Sequence, residues 1–430
     1  MVYVLNLTGQ PLMPTNRHGK VKHLLKSGKA KVIKRCPFTI QLTYVTENYT
    51  QPVTLGVDAG SKVVGLSATT ESKELYASEV ALRTDIVDLL STRRQFRRAR
   101  RNRSKRYRAP RFNNRIHRKK KGWLAPSIKN KIHTHLRAIE AVYKILPISG
   151  IVAEVAAFDI QKLKNDTITG CEYQMGDMLG FWNVREYVLF RDGHTCQHCK
   201  GASKDKVLNV HHIESRKTGG DAPNNLITLC ETCHTRYHKN EITLKARRGR
   251  AFRDAAFMGI MRWAFYNKLK ETYPNVRLTF GYITKNTRIK NNLEKTHCVD
   301  ARCISGNATS IPLDCWYAQK AVRKHNRQIH KATIGKGGYR KNNQAPKYVF
   351  EYQLFDKVLL NGKEGFIFGR RTRGGFDVRT LDGTKLSASV SYKKLKLLER
   401  RKTILIERRA TSSPCLKTGV SVGQNYGSIQ

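Results

Sequence analysis

The chain has 430 residues, enough for two or three domains, and 40% of them are hydrophobic, so folded cores are expected. Its 81 Lys and Arg exceed its 32 Asp and Glu by 49, a charge that repels itself unless a polyanion is bound, and nucleic acid is the expected partner. The apolar runs are too short to span a membrane and the N-terminus lacks a signal peptide's basic region and cleavage site, so an intracellular, non-membrane protein is expected.

Residues 1–52 mix short apolar runs, Val2 to Leu7 and Phe38 to Val45, with a Lys-rich stretch, Val21 to Lys34, that predicts a basic helix and a strand. From Val53 the text TLGVDAGSKVVGLSATT and then KELYASEV gives three strand-like runs, a β-meander opening an α/β domain. A helix predicted from near Thr84 runs into the segment Arg93 to Lys121, where 16 residues are Lys or Arg and none is acidic. Charge runs are often only solvated faces. Here Arg outnumbers Lys and Phe96, Tyr107 and Phe112 are interleaved, which favours phosphate binding and base stacking. The expected contacts are Arg93, Arg94, Arg97, Arg98, Arg100, Arg101, Arg103, Arg106 and Arg108.

A helix over Ser127 to Leu146 precedes ISGIVAEVAAFDI, an apolar strand of the buried, parallel kind. Residues from about 175 to 245 hold two CxxC pairs and most of the informative histidines, and they read as an inserted compact domain. From Gly249 the α/β texture resumes in a helix whose Phe252, Ala255, Ala256, Gly259 and Trp263 share one face, followed by a strand over Val276 to Ile283. Short alternating strands with Gly and Asp-Gly turns from about 345 signal a small β-barrel with a basic tip, Arg370 to Gly375, a reader of duplex DNA. The tail beyond Arg409 is polar.

Cys196, Cys199, Cys230 and Cys233 form two CxxC pairs with the spacing of a tetrahedral structural Zn2+ site, and four thiolates leave that ion no open position. Between and after them lie LNVHHIESRKTGGDAPNNLITLC and HTRYH. Two adjacent histidines on a strand, a Gly-Gly turn, an Asn and a His on a helix resemble the ββα-metal nuclease signature, the HNH motif. In that chemistry a neutral imidazole deprotonates a water while a divalent ion neutralises the scissile phosphate. Adjacent strand residues face opposite ways, so His211 and His212 take different jobs. The resemblance implies that His212 is the general base and that His211 and His234, with His238 one turn further on, hold a catalytic Mg2+. It also implies that Asn225, or its neighbour Asn224, orients the loop carrying the base.

Acids are scarce, which makes their placement informative. Asp58 sits in VTLGVDAG and Glu154 in IVAEVAAF, apolar strands where an ionised carboxylate is costly unless a cation faces it. In HCVDARCIS, His297 and Asp300 are three apart, on one face of a predicted helix. Taken singly, Asp58 and Glu154 each read as a strand-end acid in a hydrogen-bond network. Together the order resembles RNase H-like folds of the RuvC type. That resemblance implies Asp58, Glu154 and Asp300 as ligands of two Mg2+ ions and His297 as water activator or auxiliary ligand.

The HNH motif lies between the second and third acidic elements, and this nested order resembles the IscB family, insertion-sequence-encoded relatives of the type II CRISPR effector nucleases. Pro11-Leu12-Met13-Pro14 resembles that family's PLMP module, the Arg-rich helix its bridge helix. The implied fold is an α/β, split RNase H-like (RuvC) domain with an inserted zinc-stapled HNH domain, a small N-terminal module and a C-terminal β-barrel-like domain. The implied division is 1–52 PLMP, 53–84 RuvC-like I, 85–125 bridge, 126–174 RuvC-like II, 175–248 HNH, 249–335 RuvC-like III and 336–430 the domain reading a motif beside the target. The implied activity is RNA-guided endonucleolytic cutting of double-stranded DNA, by a monomer bound to a structured omega RNA in a prokaryotic cytoplasm, at the nucleoid. The HNH centre would cut the RNA-paired strand and the RuvC-like centre the displaced one. Two other readings stay open: a protein-only HNH endonuclease of homing or restriction type, and a non-catalytic basic RNA-binding protein.

Overall fold

The computed structural model describes residues 1–102, 122–155, 181, 183–215, 221–244, 246–248, 253–325, 329–330, 333–340 and 345–411. Arg103, Arg106, Arg108 and the polar tail after residue 411 lie outside them, as do the side chains of Arg100 and Arg101. The chain divides into two compact units, the second inserted into the sequence of the first. The first comprises Met1–His117, Ala125–Ala157 and Met261–Gln430; the second comprises Arg118–Leu124 and Phe158–Ile260. Among the described residues no helix is long and apolar enough to cross a membrane.

The first unit opens with β1 (Tyr3–Leu5), α1 (His18–Lys26), β2 (Ala30–Lys34) and β3 (Thr39–Leu42). The strands form a sheet of order β1-β3-β2 around Val2, Val4, Val21, Ile40 and Leu42. Leu12 of the Pro-Leu-Met-Pro sequence donates its backbone N–H to Val4 and packs on that core.

β4 (Thr54–Ala59), β5 (Val63–Thr69) and β6 (Glu74–Ala81) make the expected meander, and α2 (Ile86–Asn102), α3 (Pro126–Tyr143) and β7 (Gly150–Val155) follow. The inserted unit contributes α4 (Val184–Arg191), β8 (Leu208–His212), β9 (Leu226–Cys230) and α5 (Glu231–His238). Then come α6 (Arg253–Thr272), β10 (Val276–Phe280), α7 (Gly281–Lys290), α8 (His297–Ile304) and β11 (Cys315–Ala321). The last strands are β12 (Lys357–Leu360), β13 (Lys363–Arg370), β14 (Gly375–Arg379), β15 (Lys385–Ser391), β16 (Lys396–Glu399) and β17 (Ile404–Ala410).

A seven-stranded sheet of order β10-β7-β4-β5-β6-β11-β17 dominates the first unit. β10, β7 and β4 run parallel, so one register line passes through Asp58, Glu154 and Thr279. All seven residues of β5 are buried, as a strand covered on both faces requires. α8 presses directly onto β4 and β5 because two glycines lie beneath it. A Cβ on Gly56 would come within 1.9 Å of the Ala301 carbonyl oxygen, and one on Gly65 within 2.1 Å of that of His297. Any side chain at either position would lift the helix off the sheet.

Three expectations need correction. Phe252 and the side chains of Ala255 and Ala256 lie outside the described residues; among the described residues of α6 the fully buried ones are Met261, Phe265 and Leu269, while Trp263 is 52% exposed. The face is chosen by α3, whose buried His135 lies with its ring 5.2 Å from that of Phe265, and intrinsic hydrophobicity could not foresee that partner. The strand after it ends at Phe280, because Gly281 already starts α7. Finally, β12 to β16 form a five-stranded antiparallel sheet of order β15-β14-β13-β12-β16, but β17 leaves it to pair antiparallel with β11 in the central sheet. Leu405 of β17 packs there with Ala77, Trp316 and Ala318, and the same cluster takes in Phe366 of the C-terminal sheet and Leu381 of its β14–β15 connection. At the basic tip, Arg370 is tied to the backbone carbonyls of Pro346, Lys347 and Tyr352, which makes it a structural strut; Arg371 and Arg373 stay exposed.

Candidate active sites

The first unit gathers all four acidic-centre residues read from the sequence. Asp58 and Glu154 are register partners on adjacent parallel strands, each one residue short of its strand's carboxyl end. His297, the first residue of α8, places Nδ1 2.6 Å from Asp58 Oδ2, and its backbone N–H donates to Glu79 Oε1 at 3.0 Å. Asp300, one turn later, faces Arg288 of α7, whose Nε lies 2.9 Å from Asp300 Oδ1. Glu154 Oε2 accepts from the buried Thr284 hydroxyl at 2.5 Å. The glycine at 281 leaves room for the same carboxylate, since a Cβ there would lie 3.0 Å from Glu154 Oε1.

Burial pushes the Glu154 carboxyl up to about 7, with Asp58 and Asp300 adding to the rise and Thr284 and His297 opposing it. Asp300 is also raised, first by burial and then by Asp58. His297 is raised by its hydrogen bond to Asp58. The three carboxylates therefore repel one another, and the donors are all hard oxygens, which suits Mg2+. Arg288, Thr284 and Glu79 escaped the sequence reading. Their partners come from other elements, and a lone Arg or Thr on an amphipathic helix gives no signal.

The second unit holds two side-chain clusters. Cys196, Cys199, Cys230 and Cys233 have all four Sγ atoms within 4.8 Å of one another. The Cys199 and Cys230 sulfurs are 3.8 Å apart. An edge of that length, about 3.8 Å, belongs to a tetrahedron of sulfurs bonded at ~2.3 Å to Zn2+. Hydrogen bonding from Ser203 pulls the Cys199 thiol down to about 5, favouring the ligating thiolate.

The neighbouring cluster is built by a β-hairpin and a helix. β8 pairs with β9, setting His211 opposite Ile227 and His212 opposite Leu226, and α5 begins directly after β9 with Cys230 as its N-cap. His211, His234 and His238 bring one nitrogen each within 4.8 Å of the others, and the Nε2 atoms of His234 and His238 are 3.3 Å apart. His211 Nε2 is buried without a hydrogen-bond partner. Burial and the nearby His234 and His238 push His211 down to about 4, so its ring is neutral and its lone pair available. Three imidazoles suit a first-row ion such as Zn2+ or Ni2+ and do not suit Mg2+, which prefers oxygen. The expectation of Mg2+ at this centre therefore does not fit its donor set.

His212, on the other face of β8, bonds Asp221 Oδ1 through Nε2 at 3.0 Å. Of the two adjacent asparagines, Asn225 is fully buried, and its side-chain amide both donates to and accepts from the Glu214 backbone, two residues past His212. Asp221 was missed by sequence reasoning, because an acid beside a Gly-Gly turn reads as turn chemistry.

In α2, Arg93, Arg94 and Arg98 are exposed and Arg97 is half-buried. Comparison with known families gives two matches: the RRXRR protein family over residues 2–176 and HNH endonuclease over 196–240. Residues 97–101 spell the first name outright as Arg-Arg-Ala-Arg-Arg. The chain thus carries an HNH endonuclease domain, and the two matched regions together fit an IscB-like protein.

Anaredoxin from Nostoc sp. (strain PCC 7120 / SAG 25.82 / UTEX 2576) is 44% identical over 41 residues, 9% of this chain and 54% of that protein. Cas9 of Streptococcus thermophilus in complex with AGGA PAM is 15% identical, covering 51% of this chain and 31% of that one, at a TM-score of 0.30. The same protein in complex with the GGAA PAM gives 15%, 50%, 31% and 0.30. The chain thus spans about half of the curated relative, 54%, and about a third of the solved structures, 31%.

Proposed function

We propose that the protein is an RNA-guided DNA endonuclease with two hydrolytic centres, an HNH centre for the RNA-paired strand and a RuvC-like carboxylate centre for the displaced strand. The observation that carries this reading is the bond from Asp58 to His297. It joins residues 239 positions apart, one before and one after the inserted HNH unit in the sequence, into a second cluster of carboxylates and an imidazole. A protein-only HNH nuclease has no use for that cluster.

In the HNH centre, Asp221 holds His212 by one ring nitrogen, which leaves the other to take the proton of the attacking water. Asn225 fixes the following loop so that this imidazole keeps its aim. His211, His234 and His238 would hold the divalent ion.

In the carboxylate centre, Asp58, Glu154 and Asp300 would hold Mg2+, which when bound activates the water and stabilises charge on the phosphate and the leaving oxygen. His297 donates Nδ1–H to Asp58, so its Nε2 is the atom that accepts the water's proton. Thr284 holds one oxygen of Glu154, and Arg288 compensates Asp300. The Arg-rich α2 would lie along the RNA phosphates, giving binding that weakens steeply with salt. The C-terminal sheet, with Arg371 and Arg373 exposed, would read a short motif beside the target.

The test is to sequence the RNA that co-purifies with the full chain and to change its guide segment. A cut site that moves with the guide supports the proposal. Cutting at an unchanged site, or without any RNA, returns the protein to the protein-only class.

A further inference from the structure

A further buried carboxylate stands on the sheet face that carries the acidic centre. Asp58, Gly65 and Glu79 are register partners on β4, β5 and β6, so they sit side by side on one face. α8 covers that face, and His297 lies over the middle position, where a Cβ on Gly65 would come within 2.1 Å of its carbonyl oxygen and 3.1 Å of its Cβ. His297 is thereby held from two strands. Asp58 Oδ2 meets its ring at Nδ1, and Glu79 Oε1 accepts its backbone N–H at 3.0 Å.

Glu79 is 1% exposed, and among the described residues its Oε2 has no hydrogen-bond partner. A buried carboxylate with one oxygen unsatisfied is costly. Glu74, earlier on β6, shows what a purely structural burial looks like: Ser67 donates to its Oε1, the Leu313 N–H donates to its Oε2, and Arg302 faces it. Nor does α8 need Glu79 as a cap, since the Thr296 hydroxyl already accepts from the Val299 N–H. What the Glu79 bond adds is a fixed main chain at His297.

We infer that Glu79 is a positioning residue for cutting at the carboxylate centre: it clamps the main chain of His297, so that the imidazole keeps its aim without relying on Asp58 alone. This rests on the function proposed above. In that reading Asp58 serves the ion as well as the ring, whereas an anchor on the main chain has one duty. A shift of about 1 Å in a reacting group can cost about 10²-fold in rate, which sets the scale of the effect.

The test uses the full chain with its RNA and reads displaced-strand cutting in single turnover at saturating Mg2+. Glu79→Met fills the same space without an acceptor and should slow that cutting about 10- to 10²-fold, with no recovery as Mg2+ is raised further. Glu79→Gln, whose amide oxygen accepts the same N–H, should cut near the wild-type rate. In a His297→Ala background Glu79→Met should have no further effect, because a positioning residue acts only through the group it positions. Thermal unfolding checks that each variant folds. Hydrogen exchange needs no variant: in the metal-free wild type the His297 amide should exchange slowly. The clamp is overturned if that amide exchanges as freely as an unbonded one, if Glu79→Met cuts at the wild-type rate, or if added Mg2+ restores its cutting. It is equally overturned if the effect persists undiminished in the His297→Ala background, as a general strut of the sheet would give. Asp58→Ala separates the two ideas. If it leaves displaced-strand cutting intact, the carboxylate centre itself has been misread. If it abolishes that cutting while Glu79→Met does nothing, the clamp alone is rejected.

Discussion

The two centres are built in opposite ways. The imidazole centre comes from one hairpin and the helix that follows it, all within the 196–240 span and stapled by four cysteines. The carboxylate centre draws Asp58 and His297 together across 239 positions, over a sheet seated on Gly56 and Gly65. A locally built site depends on its metal for rigidity. A site built at long range depends on the whole sheet that carries it.

The sharpest way to break this comparison is Cys196→Ser. Structural zinc in small modules is worth roughly 10 kcal/mol or more, so the inserted unit should unfold. Limited proteolysis should then cut freely within it while displaced-strand cutting persists. Loss of both cuts together would show that the units fold as one.

His212→Ala should act at one step below: paired-strand cutting falls about 10²- to 10⁴-fold with zinc content unchanged, measured by strand-resolved nicking beside elemental analysis.

A third effect follows from Glu154, whose carboxyl sits at about 7. Only the ionised form ligates, so Mg2+ affinity at the carboxylate centre should fall about tenfold per unit as pH drops below 7 and level off above it. Calorimetric Mg2+ titration of the full chain across this pH range checks this. A flat profile from pH 5 to 8 would mean that Glu154 is not a ligand.

The smallest effect is on stability. Because folding raises Glu154 from the usual carboxylate range, its ionised form weakens the metal-free fold above pH 7, and that strain vanishes as the group protonates below 7. Glu154→Gln should therefore stabilise the metal-free protein at pH 8 by about 1–3 kcal/mol while abolishing Mg2+ binding there, read by thermal unfolding in EDTA.

How much could be read beforehand tracks the same contrast. The HNH cluster is legible because its histidines are close in sequence, and spacing encodes geometry when a turn and one helix separate them. Asp58, Glu154, His297 and Asp300 stood out because acids are rare in this chain and two of them interrupt apolar strands. Their supports did not, since Thr284, Arg288 and Glu79 become meaningful only once α7 and α8 dock on the sheet. β17 shows the limit best. ILIERRA alternates like any neighbouring strand, and alternation says that a segment pairs without saying with which sheet.

That strand has a mechanical consequence. Residues between β11 and β17 leave the central sheet at Ala321 and return at its partner Ile404, so the C-terminal sheet hangs from two adjacent anchor points and shares a hydrophobic cluster with its base. A hinge needs a single tether; two side by side, glued by packing, make a bracket. DNA gripped by that bracket would be held at a set span from Asp58, and the break would fall a constant number of base pairs from the gripped sequence, whatever the guide.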